Sequence, residues 1–585
     1  MQTADIVIRG GMVVDGTGAA PRRADVAVRD GVILAIGGDL GLGAEEIDAT
    51  GLLVTPGFVD VHTHYDAQAT WEETLQPSSL HGVTTVVTGN CGVGFAPCRP
   101  GDRELMIAVM EGVEDIPQLV MAEGLPWSWE SFSDYLDFID TRRFDIDIGV
   151  QVPHSAIRVY VMGERGAKRE PATAEDLAAM RTIVREAVDA GAIGVSTSRL
   201  HFHRSKAGDL APSIDSADEE LLTLARGLRD AGRGVFQMIA DVDAPVADEF
   251  ALMRRIAKEA EAALSFTLLQ RHSTADDWRD FLDAIEDAQA DGLMIRGQIF
   301  PRPVGVLQGL QLTLNPFSLR PSYKAIADRP LAEKVAIMRD PAFRARLLTE
   351  RPDHDPNPMF DMLTARVREL FPLGPHADYA PDASDTVGGR ADRESRSPLE
   401  VAYDLLLERD GQAILYLPAS NFANNRLDAP RVMMEHPGTI LGLGDGGAHY
   451  GFICDASYPS TVLAYWARDV EERQRISVGR AIELLARRPA MAVGLNDRGM
   501  LAPGYRADIN LIDFDMLLLH SPTVSYDLPA GGRRIVQQAE GYRLTMVAGT
   551  VTYRDGIATG ARPGRLVRGA RPLPAMSAPK VAAGV

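Results

Sequence analysis

The stretch PGFVDVHTHYDAQ, residues 56–68, ends an apolar run with two histidines that are one residue apart. The apolar residues before them predict a buried strand, in which side chains two residues apart leave the same face. His62 and His64 would then project side by side, roughly 6–7 Å apart at their Cα atoms. That geometry suits two ligands of one metal ion, and it also suits a pair of hydrogen-bonded core histidines. The rest of the chain has to decide between these interpretations.

The bulk composition narrows the class of protein. The 585 residues include 60 Lys and Arg against 81 Asp and Glu, a net charge of −21, which argues against a nucleic-acid or membrane partner. The start, MQTADIVIRGG, lacks the basic and apolar segments of a signal peptide, and no apolar run is long enough to span a bilayer. Three cysteines cannot all pair, so we expect a reduced cytoplasmic protein. Its oligomeric state stays open, with a homo-oligomer as one option.

Through the middle of the chain, strand-like apolar runs alternate with helical stretches such as residues 172–191. Nine runs are about the number expected for an α/β fold of the (β/α)₈ TIM-like barrel type with one run miscounted. The runs are GFVDVHTH (57–64), GVTTVVTGNCG (82–92), FDIDIGVQVPHS (144–155), GAIGVSTS (191–198), GRGVFQMIAD (232–241), AALSFTLLQ (262–270), GLMIRGQIFP (292–301), AILYLPAS (413–420) and TILGLGDGG (439–447).

The two ends of the chain share a different character. Short alternating strands with Gly or Asp at each break occupy the first fifty residues and return near the other end. Since chain termini commonly lie close together, residues 1–54 and 490–560 predict one composite β-sandwich, with the barrel over 55–489. Residues 303–400 break the rhythm and predict a helical insertion over the active-site end. The tail, 562–585, lacks periodicity and is expected to be extended or disordered.

Four residues that bind metals well fall at the ends of predicted barrel strands. His62 and His64 end the first run, Cys91 ends the second, and Asp445 ends the last. Catalytic groups of such a barrel sit at the carboxyl ends of its strands. Two imidazoles, a thiolate and a carboxylate suit zinc, and the two anionic groups would neutralise the dication. The sequence therefore favours the metal interpretation of the histidine pair.

Several segments together resemble the amidohydrolase superfamily, and within it the N-acyl-D-amino-acid deacylases, or D-aminoacylases. The resemblance runs from about residue 4 to 555, interrupted by residues 303–400. It implies a β/α barrel, a composite β-sandwich and zinc-dependent hydrolysis of an amide, with Asp445 binding metal and shuttling protons. The segments are PGFVDVHTHYDAQ, GNCGVGFAPC, GLPWSWESF (124–132), VPHSAIRVYVMG (152–163), GAIGVSTS and GMLAPGYRADINLID.

One departure from the family matters for the number of metal ions. The family has a histidine at the ends of strands five and six, and the aligned positions here are Ile239 and Leu268. Neither side chain can bind zinc, and no lysine ends the fourth run to serve as a carbamylated bridge. We therefore expect one zinc ion per chain, held by His62, His64 and Cys91, with Asp445 as a fourth ligand or as the general base.

Five further residues are candidates for binding the substrate. The loop after the fourth run carries Arg199, His201 and His203, which could replace the missing ligands, polarise the scissile carbonyl or hold a carboxylate. Alternatively, they are polar loop residues that face water. Arg302 could bind a carboxylate or form a surface ion pair. His449, four residues after Asp445, could line the pocket or have a structural role.

The resemblance implies a small-molecule substrate, an N-acylated amino acid that is cleaved to a carboxylate and a free amine. The preference for the D configuration rests on the resemblance alone. A second possibility is hydrolysis of a cyclic amide or another carbon–nitrogen bond, because one barrel hosts many chemistries. A third is a metal-free relative that binds ligands without turning them over, since two family histidines are missing.

Overall fold

The computed structural model describes residues 4–38, 40–272, 274 and 276–574 of the chain. Its centre is an eight-stranded parallel sheet in which each strand lies beside its neighbour in the chain order of the barrel. Every residue of Val83–Thr88 is buried, as expected for a parallel strand that is covered on both faces. Barrel strands 1 to 8 are Phe58–Asp60, Val83–Thr88, Asp147–Pro153, Gly194–Ser198, Val235–Ile239, Ala263–Thr267, Ile295–Ile299 and Thr439–Leu441.

The first and last barrel strands meet just beyond their carboxyl ends. The backbone N–H of Asp445 donates to the carbonyl oxygen of His62 at 3.1 Å, and the N–H of His64 donates to the carbonyl oxygen of Gly446 at 2.8 Å. These two bonds join the edges of the sheet. The predicted β/α barrel is therefore confirmed.

Helices pack around the barrel, and local sequence signals set their ends. Ala174–Ala190 begins with a capping box between Thr173 and Asp176 and ends at Gly191, whose φ of 119° suits glycine. The longer helices before barrel strand 8, apart from those between strands 7 and 8 that are described below, are Arg103–Val113, Gln118–Gly124, Phe132–Thr141, His154–Met162, Ala174–Ala190, Asp218–Ala231, Val246–Ala260, Asp277–Ala290 and Asp428–Glu435. After the last strand follow Tyr458–Thr461, Val462–Asp469, Val478–Ile482, Glu483–Arg487 and Arg488–Ala492.

One of the nine predicted strands lies outside the barrel. Ile414–Ser420 pairs in antiparallel fashion with Val304–Gly309 and Phe371–Pro372 in a separate three-stranded sheet. Its apolar sequence resembles that of a barrel strand because this side sheet is buried too. Periodicity alone does not distinguish the two environments.

The segment between barrel strands 7 and 8 carries its own hydrophobic core around Leu314, Phe317 and Tyr403. It is largely helical, as predicted for the insertion, although its sheet includes a strand beyond residue 400. The helices are Pro321–Lys324, Leu331–Met338, Pro341–Thr349, Pro358–Ala365, Val387–Glu394 and Pro398–Leu406.

Strands from both ends of the chain share one nine-stranded sheet, as the fold prediction requires. Leu53–Pro56 is the link, because it pairs with Ala4–Val13 on one side and with Ile509–Ile512 on the other. The strands are Ala4–Val13, Arg22–Arg29, Val32–Gly37, Gly43–Asp48, Leu53–Pro56, Ile509–Ile512, Tyr542–Val547, Thr550–Arg554 and Ile557–Ala558. Two separate antiparallel pairs follow in the chain, Leu518–Leu519 with Ala539–Glu540 and Thr523–Ser525 with Arg534–Val536.

The described part of the tail, residues 562–574, runs along the barrel. Gly564 forms a bridge to Phe144 and Leu566 forms one to Ile148. Residues 575–585 of the predicted tail lie outside the described residues. Among the helices that the structure describes, none combines the length and apolar character needed to cross a membrane.

Candidate metal centre

Three side chains of types that can bind metals converge at the carboxyl ends of barrel strands 1 and 2. One ligand atom each from His62, His64 and Cys91 lies within 4.8 Å of the other two. The Sγ atom of Cys91 is 3.1 Å from Nε2 of His62 and 3.6 Å from Nε2 of His64. All three residues are buried. The side-by-side projection predicted from the His-X-His pattern is therefore present, and the cysteine of the next strand joins it.

Asp445 approaches the same point from the end of barrel strand 8. Its Oδ1 atom lies 3.6 Å from Nε2 of both His62 and His64, and it has no hydrogen-bond partner among the described residues. Tetrahedral zinc with bonds of about 2.0–2.3 Å places its ligand atoms roughly 3.3–3.8 Å apart. Three of the four reported spacings are 3.6 Å and fall in that range, while the 3.1 Å between Sγ of Cys91 and Nε2 of His62 is slightly shorter. The four donors are therefore close enough together to surround one zinc ion.

Burial sets the protonation of His62, His64 and Cys91 in the chain without a metal. It lowers the pKa of His62 to about 4 and that of His64 to about 3, so both imidazoles are neutral at pH 7 and keep a free lone pair. Burial also raises the pKa of the Cys91 thiol well above its usual range. A bound dication would reverse that effect, because the thiolate is the form that binds metals.

His62 is oriented by a neighbour on barrel strand 7. Its Nδ1 atom lies 2.7 Å from Oε1 of Gln298, and Nε2 of Gln298 in turn donates to Oγ of Ser265 at 3.0 Å. The amide oxygen can only accept, so Nδ1 of His62 carries the proton and Nε2 faces the cluster with its lone pair. A glutamine inside this barrel strand is a sequence signal from which this contact could have been predicted.

Cys91 is held by its backbone. Its φ is 58°, and its N–H donates to Oε1 of Gln237 at 3.1 Å. The next residue is Gly92 with φ of 69°, where a Cβ atom would come within 2.8 Å of the Cα of Thr197. Leu443, Asp445 and His449 also have positive φ values. Such strained backbone is often kept where a site requires a particular orientation.

The two positions where the family has histidines are apolar and buried. Ile239 is two residues beyond Gln237 on barrel strand 5, and Leu268 follows barrel strand 6. Both side chains belong to the main hydrophobic core. Neither side chain offers a ligand atom, so the candidate donors for a metal lie after strands 1, 2 and 8.

Glu114 is a site residue that sequence reasoning missed. Its carboxylate lies between two imidazoles, with Oε1 at 3.4 Å from Nδ1 of His64 and Oε2 at 3.5 Å from Nε2 of His449. Burial, followed by the charges of Asp445 and Asp66, raises its pKa well above the usual range. Glu114 follows the helix Arg103–Val113 in a stretch without a motif, so no pattern pointed to it.

The three candidate residues in the loop after barrel strand 4 have different environments. Arg199 forms an ion pair with Glu249 at 3.0 Å, and His201 is exposed with Nε2 at 3.1 Å from Asp215. His203 is turned inward, and its Nδ1 atom is buried without a hydrogen-bond partner among the described residues. Its pKa is lowered to about 3 by burial first, then by three other histidines, which include His64. His449 lies next to the cluster, with its ring centroid 6.4 Å from that of His64.

Arg302 follows barrel strand 7 and is almost fully buried. Its Nη2 atom donates to the carbonyl oxygen of Cys454 at 2.9 Å and lies 3.0 Å from Oδ1 of Asp455. The ring of Tyr379, from the segment between barrel strands 7 and 8, lies 3.6 Å from Cζ. The Nε and Nη1 atoms have no partner among the described residues. The ion pair of Arg302 is thus buried, not on the surface.

Comparisons with known proteins give this site a family context. The amidohydrolase family matches residues 45–553. An N-acyl-D-aspartate deacylase of Alcaligenes xylosoxydans xylosoxydans is 26% identical over 574 residues, which are 96% of this chain and 95% of that protein. An uncharacterized protein of Mycobacterium tuberculosis is 28% identical over 600 residues, which are 95% of this chain and 92% of that one.

A solved structure supports the fold. The N-acyl-D-glutamate deacylase of Bordetella bronchiseptica, complexed with zinc and a phosphonate inhibitor, superimposes with a TM-score of 0.64 at 23% identity. The match covers 97% of this chain and 100% of that one. At this identity the likeness shows the shared architecture. The family match, which spans most of the chain, shows that this protein belongs to the amidohydrolase family and is a hydrolase that acts on carbon–nitrogen bonds.

Proposed function

We propose that this amidohydrolase is a zinc-dependent deacylase of small N-acylated amino acids with a preference for the D configuration. The observation that carries the proposal is the convergence of His62, His64 and Cys91 with Asp445 at one point of the barrel mouth. The deacylase relatives support the substrate class, and the zinc in the Bordetella structure supports the choice of metal.

We assign one zinc ion per chain to His62, His64 and Cys91. Two neutral imidazoles and one thiolate are a suitable donor set for zinc, and three protein ligands leave a position open for chemistry. Ile239 and Leu268 argue against a second ion in the usual place, because both are buried apolar side chains. When bound, the zinc ion would acidify a water molecule and polarise the substrate carbonyl.

Asp445 would be the general base and acid. Its Oδ1 atom faces both histidines and has no other hydrogen-bond partner among the described residues, so it is free to take a proton. It would take one from the attacking water, whose oxygen bonds to the acyl carbon. It would then give that proton to the departing nitrogen as the carbon–nitrogen bond breaks. The products are a carboxylate and an amine.

His203 is our candidate donor to the oxyanion. Its imidazole is neutral and turned inward, with Nδ1 buried and unpartnered among the described residues, so it has a hydrogen-bonding position to offer. Removal of one such donor typically costs roughly 100–1,000-fold in turnover. His201, the other candidate in this loop, is exposed and already lies beside Asp215.

Arg302 is our candidate for binding the substrate carboxylate. It follows barrel strand 7, at the end of the barrel where such enzymes bind their substrates. Its Nε and Nη1 atoms are buried and have no hydrogen-bond partner among the described residues, while Asp455 fixes the other side of the guanidinium. A cationic guanidinium whose Nε and Nη1 atoms keep N–H groups without a partner among the described residues can donate a charge-assisted hydrogen bond to a carboxylate.

The test is turnover of matched enantiomers. The purified chain is supplied with zinc and assayed for amine release from N-acetyl-D- and N-acetyl-L-amino acids, with Cys91→Ala as the inactive control. We expect release from the D series, little from the L series and none from the variant. Equal rates for both enantiomers would refute the chirality claim. Turnover of a hydantoin or another cyclic amide, with no release from either series, would overturn the substrate class.

A further inference from the structure

Glu114 has a buried carboxyl group that is neither one of the proposed zinc ligands nor a participant in the proposed acid–base step. It is 1% exposed and lies directly after the helix Arg103–Val113. A carboxyl group is seldom buried this deeply unless a specific partner requires it there. Its surroundings therefore indicate what it does.

The partners of Glu114 are two imidazoles of the metal centre. Oε1 lies 3.4 Å from Nδ1 of His64, and Oε2 lies 3.5 Å from Nε2 of His449. Nδ1 of His64 and Oε2 of Glu114 are buried and have no hydrogen-bond partner among the described residues, so these approaches are the polar contacts that the structure shows for both atoms. In addition, the backbone N–H of His449 donates to the carbonyl oxygen of Glu114. The side chain of Glu114 therefore lies between the first strand end and the turn after Asp445, and its backbone binds that turn.

The two histidine ligands are oriented by chemically different groups. On His62 the Nδ1 atom faces the neutral amide of Gln298, whereas on His64 it faces the carboxyl of Glu114. A carboxylate behind a histidine ligand fixes which ring nitrogen carries the proton and makes the other a better metal ligand. In His64 that other atom is Nε2, which faces Cys91 and Asp445.

We propose that Glu114 is a positioning residue that orients His64 as a zinc ligand and holds the His449 imidazole beside it. The inference rests on the proposed zinc-dependent function. Glu114 acts through these two histidines and does not itself contact the metal or the substrate. His449 then has a defined place at the barrel mouth, because its ring and its backbone are both tied to Glu114.

The experiment measures zinc affinity by competition with a chromophoric chelator in Glu114→Ala and Glu114→Gln. Loss of such a supporting group typically weakens metal binding 10–100-fold. We expect a loss towards the upper end for Glu114→Ala and about tenfold for Glu114→Gln, whose amide oxygen can take the place of the carboxyl oxygen beside Nδ1 of His64. Because Gln is nearly isosteric with Glu, this second variant keeps the test valid if Glu114→Ala folds poorly.

Asp115→Asn is the matched control. Asp115 is the next residue, but its carboxylate binds Oγ1 of Thr313 and the backbone N–H of Gly451 instead of a histidine. The zinc affinity of Asp115→Asn should equal that of the wild type. If both Glu114 variants bind zinc as tightly as the wild type, the role of Glu114 is overturned and the proposed function is not. Failure of the wild type itself to bind zinc would contradict the proposed function, and with it this inference.

Discussion

Asp445 contacts His62 through both its backbone and its side chain. Its N–H donates to the carbonyl oxygen of His62 at 3.1 Å, and its Oδ1 atom lies 3.6 Å from Nε2 of the same histidine. The first contact joins barrel strands 1 and 8, and the second directs a carboxylate at the metal centre. Closure of the barrel and assembly of the site therefore depend on the same pair of residues.

The side-chain contact can be tested separately from the backbone contact. Asp445→Asn keeps the backbone hydrogen bond and the shape of the side chain but removes the group that would carry the proton. We expect kcat to fall roughly 100–10,000-fold, the usual contribution of general acid–base catalysis. Zinc content measured by elemental analysis should stay at one ion per chain.

The exposed residue Asp469 provides a control, since Asp469→Asn changes the same chemical group away from the barrel mouth. Its kcat should match that of the wild type. Retention of full activity by Asp445→Asn would contradict the assignment of Asp445 as the general base. Loss of zinc in proportion to activity would instead identify Asp445 as an essential ligand.

Zinc binding should depend on pH through Cys91. Burial raises the pKa of this thiol, so the metal-free chain holds the proton that zinc must displace. His62 and His64 are neutral near pH 7 because their pKa values are lowered to about 4 and about 3, so they release none. The affinity should therefore rise about tenfold per unit between roughly pH 6 and pH 8.

Zinc titrations at several pH values measure this dependence, and Cys98→Ala is the matched control. Cys98 is a buried thiol outside the cluster, so its removal should leave both the affinity and its pH dependence unchanged. Cys91→Ala should abolish tight binding. An affinity that does not change over this pH range would show that no thiol proton is displaced.

Part of the candidate site was predictable because its residues lie at the ends of predicted strands, which can be located along the chain. His62 and His64 form a local pattern, Cys91 ends the next predicted strand, and Asp445 ends the last one. Parallel strands of a barrel bring their carboxyl ends together, so the convergence follows from the fold. Once the order of the strands is known, the alternation of side chains along a strand is enough to predict which residues face the site.

The remainder of the site could not be predicted, because it depends on packing between distant segments. Glu114 lies in a loop without a motif, and only the tertiary structure sets it between His64 and His449. The position of the strand Ile414–Ser420 outside the barrel could not be predicted for a related reason. A buried strand in a side sheet and one in a barrel have the same apolar composition.

The two histidines of the strand 4 loop differ in what their loss should do. His203→Ala should lower kcat roughly 100–1,000-fold with little change in KM, because an oxyanion donor acts mainly in the transition state. His201→Ala should have little effect, since this imidazole is exposed and lies beside Asp215. Steady-state kinetics on one substrate measure both. The reverse pattern would assign the donor role to His201.

Arg302 should matter only for substrates that carry a carboxylate. Removal of one charged hydrogen-bond partner typically costs about 1.5–3 kcal/mol, or roughly 10–150-fold in kcat/KM. Arg302→Lys keeps the positive charge beside Asp455 but loses the N–H groups that the guanidinium holds at Nε and Nη1. The comparison is the ratio of kcat/KM for an N-acetyl-D-amino acid to that for its methyl ester.

This ratio cancels differences in the folded fraction, because both substrates are assayed on the same preparation. It should fall in Arg302→Lys, with the ester nearly unaffected. A ratio equal to that of the wild type would contradict carboxylate binding by Arg302 and leave it a structural partner of Asp455.

The most direct test of the central claim is anomalous diffraction at the zinc edge from crystals grown with zinc. We predict one strong peak per chain, within bonding distance of Nε2 of His62, Nε2 of His64 and Sγ of Cys91. A map without a peak at that point, or with the three side chains turned away from one another, would contradict the account.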